Sequence, residues 1–104
     1  MGALLTIANE QLAYTFTDRG TYLARTLEGI DLPTLVEGDP TLFNPYGLIV
    51  VNPEMHPHVN FDLAMSFING FTSVPTQKVI GEFGKDEFVQ PLFVPDSEDW
   101  QASQ

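Results

Sequence analysis

The sequence predicts an α/β domain with a short mixed sheet flanked by helices. Three observations predict it. Leu48-Ile49-Val50-Val51 is apolar on both faces, as expected of a central strand covered from both sides. Ala13-Tyr14-Thr15-Phe16 and Thr34-Leu35-Val36 read as shorter strands. Residues 3–12 and 61–71 carry apolar side chains at helical spacing.

In chain order, Leu4, Leu5, Ile7, Ala8 and Leu12 form the stripe of a first helix. The strand at 13–16 follows, and Thr17 or Asp18 caps a second helix through Tyr22, Leu23 and Ala24. Gly29 and Pro33 bracket a loop before the strand at 34–36. Glu37-Gly38-Asp39-Pro40 is a turn, and Pro45-Tyr46-Gly47 leads into the strand at 48–51. A proline-interrupted loop spans 52–58. Asn60 caps the helix whose stripe is Phe61, Ala64, Met65, Ile68 and Phe71. Ser73 caps another, with Pro75 in its first turn, Val79, Ile80 and Phe83 as its buried face, and Gly84 as its stop. Residues 90–94 are extended between Pro91 and Pro95, and the last residues form a frayed acidic tail. One two-sided strand with two short neighbours makes a marginal sheet, so the chain either associates or lacks part of its fold.

The chain has 104 residues, 43% of them hydrophobic, enough for one small domain and too apolar for disorder. With no cysteine, disulfides and thiolate metal sites are excluded. Fourteen acids against four basic residues give a net charge of −10. Such a surface repels nucleic acid and anionic lipid, so no nucleic-acid partner is expected, and no apolar run is long enough for membrane insertion. An anion site must rely on local donors. The N-terminus has no basic residue before its apolar stretch and does not read as a secretory signal, so a natural start at Met1 implies the cytoplasm.

Thr17-Asp18-Arg19-Gly20-Thr21-Tyr22, running on from Ala13-Tyr14-Thr15-Phe16, is the segment with most chemistry. Thr15, Thr17, Arg19 and Thr21 could donate to an oxyanion from a strand end and a helix start. The alternative is structural: Thr17 and Asp18 cap the helix, and Arg19 pairs with Asp18 or another acid. A tetrahedral dianion stripped of water needs many convergent donors, and one short segment supplies few. Glu54, His56, His58 and Asp62 suggest a metal cluster only weakly, and no metal or other cofactor is expected. No nucleophile elbow, phosphate loop or dinucleotide fingerprint occurs, and Glu37 and Asp39 read as solvated acids, so an enzyme is not expected.

A set of motifs runs through nearly the whole chain: Met1-Gly2-Ala3, Ile7-Ala8-Asn9-Glu10, the unbroken stretch from Ala13 to Ala24, and Leu35-Val36-Glu37-Gly38-Asp39-Pro40. It continues through Leu42-Phe43-Asn44-Pro45-Tyr46-Gly47, Val51-Asn52-Pro53-Glu54, His56-Pro57, Phe83-Gly84-Lys85, Phe88 and Gln90-Pro91-Leu92-Phe93. On these motifs the chain resembles the periplasmic tungstate-binding proteins of ABC transporters. Gly70-Phe71 and Val74-Pro75-Thr76 depart from the family pattern.

The resemblance implies a partial type II periplasmic-binding-protein-like fold, in which two α/β lobes enclose the oxyanion. Residues 1–95 would be the C-terminal portion of the solute-binding domain and residues 96–104 an acidic flexible tail. Asn44, Pro45, Tyr46 and Gly47 would be the hinge crossover between lobes, and Thr15 would face the cleft. Two family ligand motifs, a threonine- and serine-rich loop and an Arg-Gly-Asp loop followed by Ser-Gly-Thr, lie upstream of everything present. Family location is periplasmic or extracellular, the ligand tungstate or molybdate, and the partner of the full-length protein an ABC permease. The alternative is a half-domain that self-associates as an interaction module without binding oxyanion, a homo-oligomer covering residues 48–51 and the stripe at 61–71.

Overall fold

A computed structural model describes all residues, Met1–Gln104. It contains helices and no strand, which overturns the expected α/β fold with a short mixed sheet. The six α-helices are α1 (Gly2–Gln11), α2 (Arg19–Leu27), α3 (Phe61–Thr72), α4 (Val74–Glu82), α5 (Lys85–Phe88) and α6 (Glu98–Ser103). A 3₁₀ turn spans Pro40–Leu42. The three segments expected as strands are irregular, and their one backbone–backbone hydrogen bond, from the Ala13 N–H to the Ala8 carbonyl at 2.9 Å, closes the end of α1 and belongs to no ladder. A strand exists only through its ladder, and these segments have no ladder partner. Their apolar side chains stand open: Tyr14, Phe16, Leu35, Val36 and Ile49 are all exposed.

The chain divides into two compact units. The first comprises Met1–Phe43 and Phe83–Phe93. Here α1 packs on α2 around Leu5 and Ala8, the buried hydrophobic side chains of the chain. The Arg25 guanidinium on α2 donates to Thr6 Oγ1 on α1 and pairs with Glu28. Tyr22 donates its hydroxyl to the Leu32 carbonyl at 2.7 Å, and Asn9 Oδ1 accepts from the Asp31 N–H at 3.0 Å, so the loop after α2 is tied to both helices. Gly84 has φ 84° and lies so close to Leu92 that a Cβ there would sit 2.7 Å from Cγ. Only glycine accommodates both conditions.

The second unit comprises Asn44–Glu82 and Val94–Gln104. Asn60 caps α3 by accepting from the Leu63 N–H at 3.0 Å, as its residue type predicts. The helices α3, α4 and α6 pack against one another. Their centre is polar: Gln77 is buried, donating to the Phe71 carbonyl at 3.0 Å and accepting from the N–H groups of Asp96 and Ser97. Ser97 caps α6, so residues 98–103 are helical where a frayed tail was expected. The expected buried face of the fourth helix is also corrected: Val79 and Phe83 are mostly exposed. The second unit buries no hydrophobic side chain, and the stripe on α3 is open at Phe61 and Phe71, as is Phe67 beside it.

Candidate functional site

The oxyanion-candidate segment lies at the start of α2, and its local structure follows from Asp18. That residue is extended at φ −78°, ψ 157°, and its carboxylate accepts from the Thr21 N–H at 2.8 Å. The Thr21 hydroxyl donates to the other carboxylate oxygen, also at 2.8 Å. The Thr21 N–H, opposed by desolvation and aided by the Thr21 hydroxyl, holds the Asp18 carboxyl below the usual range. Thr17 Oγ1 donates to the Asp18 carbonyl at 3.3 Å.

Arg19 turns to two partners within the same unit. Its Nη2 lies 3.3 Å from Glu37 Oε2, and its Nη1 donates to Gln90 Oε1 at 3.4 Å. Both charged side chains are largely exposed, so the pair is worth little to stability. It matters to chemistry, because a carboxylate occupies one arm of the guanidinium. Thr15 is exposed and its hydroxyl makes no protein hydrogen bond.

The four candidates therefore divide. Thr17 and Thr21 spend their hydroxyls on Asp18, Arg19 is engaged by Glu37 and Gln90, and Thr15 alone is uncommitted. An anion approaching this end of α2 meets the Asp18 carboxylate at the cap position, where the helix dipole favours negative charge. Glu37 and Gln90 were not foreseen as partners of Arg19. They are 18 and 71 residues away, and charge type gave the only hint, for Glu37.

Asn44, Pro45, Tyr46 and Gly47 form an exposed, irregular segment. The two compact units divide between Phe43 and Asn44, and the chain passes between them again after Glu82 and after Phe93. The Asp39 carboxyl is held below its usual value by the Thr41 hydroxyl and N–H, and it caps the 3₁₀ turn. His56 and His58 meet edge to face at 6.1 Å, but no three His, Asp or Glu side chains converge as a metal site. No helix is long and apolar enough to cross a membrane.

The chain is 43% identical over 98 residues to the tungstate-binding protein TupA of Peptoclostridium acidaminophilum, covering 93% of this chain and 34% of the relative. It is 38% identical over 100 residues to the TupA of Campylobacter jejuni, covering 93% of this chain and 36% of that protein. It is 44% identical over 88 residues to an ABC transporter anion-binding protein of Haloferax volcanii, covering 80% of this chain and 25% of that protein. The chain thus spans about a third or less of the length of these relatives. No family model matches it, and no solved structure does.

Proposed function

We propose that this chain, a homologue of one third of the tungstate-binding proteins, supplies the Arg19 corner of an oxyanion-binding site in the capture component of an ABC importer. The observation that carries this reading is 43% identity over 93% of the chain to a tungstate-binding protein. The ligand is tungstate or molybdate, and the partner of the assembled binding protein is an ABC permease. The role is binding, with no chemical step.

Within that reading Arg19 offers the charge-assisted donor, and Thr15 a free hydroxyl. Ligand capture requires Glu37 to release Arg19, because a carboxylate and an oxyanion compete for the same guanidinium arm. Asn44, Pro45, Tyr46 and Gly47 serve as the hinge. Support comes from the unit boundary between Phe43 and Asn44, since hinges lie in short segments between bodies.

The test is a chimera of the Peptoclostridium acidaminophilum relative in which this chain replaces the matched third. Calorimetry should show saturable tungstate binding and no binding of sulfate. A cooperatively folded chimera that gives no tungstate heat would refute the proposal.

A further inference from the structure

Within the first unit, Arg19 Nη1 donates to Gln90 Oε1 at 3.4 Å. A guanidinium carries five N–H donors and no acceptor. The contact therefore fixes the Gln90 amide: its oxygen turns to Arg19, and its nitrogen, with two N–H donors, turns away from Nη1. That nitrogen makes no hydrogen bond to the protein. Arg19 spends one N–H on Gln90 and one on Glu37, which leaves three of its five without a protein acceptor.

The main chain that brings Gln90 here is strained. Val89 closes α5 at φ 64°, ψ −1°, in the left-handed region, where a β-branched residue is an outlier. Val89 is 92% exposed, so its side chain gains no packing in return. The turn is held from both sides. The Val89 N–H donates to the Lys85 carbonyl at 2.9 Å, and the Leu92 N–H to the Phe83 carbonyl at 3.2 Å. Strain that the surroundings over-determine is found where a side chain must be held for a ligand. The side chain delivered by this turn is Gln90, half-buried and set on Arg19 from 71 residues away in sequence.

We infer that Gln90 is a second oxyanion donor, its amide N–H groups binding the same tetrahedral dianion as the open N–H groups of Arg19. The inference rests on the reading of Arg19 as an oxyanion ligand. Four basic residues against fourteen acids leave few cations for such a site, and a dianion stripped of water needs several donors. A neutral amide beside the guanidinium adds donors without needing another cation. Gln90 also keeps Arg19 in place when Glu37 lets go, because the two residues hold different arms, Nη1 and Nη2.

The test uses the chimera with the Peptoclostridium acidaminophilum relative, titrated with tungstate and, as control, sulfate. Gln90→Met keeps the length of the side chain and removes the amide. It should weaken tungstate binding at least about fivefold by calorimetry. By NMR of the parent chimera, the Gln90 side-chain amide signals should shift on adding tungstate and stay in place with sulfate. Equal affinity in Gln90→Met would overturn the inference. So would weaker affinity with amide signals that tungstate leaves unmoved, since Gln90 would then only position Arg19. Both of those results leave the Arg19 proposal standing, whereas a parent chimera that binds no tungstate removes that proposal and this inference together.

Discussion

At the residue scale the site is a matter of which donors are already spent. Asp18 takes the Thr21 N–H and hydroxyl, and this is ordinary helix capping. Asp18→Ala should cost about 1 kcal/mol of stability in a urea titration, the usual value of such a cap. The same contact is pH-dependent. The folded-state pKa of Asp18 lies below its unfolded value, so the contribution is complete above the unfolded value of about 3.9 and decays as pH falls through the folded one. Wild type and Asp18→Ala should therefore converge in stability near pH 2 and separate at pH 7. Glu37 makes a different prediction, since it competes for Arg19 and adds a negative charge beside it. In the chimera, Glu37→Gln should tighten tungstate binding by about threefold to tenfold, read by calorimetry at low salt, where exposed charges act most strongly. Unchanged or weaker affinity would show that Glu37 does not oppose the ligand.

At the element scale the helices were legible from local rules. Asp18, Asn60 and Ser97 cap α2, α3 and α6 with their own side chains, and the first two were foreseen because capping needs only neighbours in sequence. The strands were not realised, because a strand needs a partner and a short apolar run alone supplies none. Gln77 escaped notice because its hydrogen bonds reach Asp96 and Ser97, 19 and 20 residues on. It joins the end of α3 to the start of α6 from the middle of α4. Gln77→Ala leaves the Phe71 carbonyl and two N–H groups without their partner, and should cost about 2–3 kcal/mol. Trp100, the lone tryptophan, lies on α6, so its fluorescence should shift to the red in this variant as α6 loosens. An unchanged spectrum would mean that α6 is held by other contacts.

At the scale of the whole molecule two facts meet. The chain is homologous to a third of the tungstate-binding proteins, and its own fold leaves most large hydrophobic side chains uncovered. The sequence made the first legible through Ala13-Tyr14-Thr15-Phe16-Thr17-Asp18-Arg19 and Asn44-Pro45-Tyr46-Gly47. It hinted at the second, since the run at residues 48–51 is apolar on both faces and asks for cover that the chain does not supply. The engagement of Arg19 by Glu37 and Gln90 was beyond its reach, because that contact depends on where the loop at 37 and the segment at 90 return. The proposed oxyanion site depends on Arg19. The most direct measurement is a calorimetric tungstate titration of the chimera carrying either Arg19 or Arg19→Ala. Saturable binding is expected with Arg19 and at least about tenfold weaker binding with alanine, from loss of a charge-assisted donor. Equal affinity in the two chimeras would contradict it.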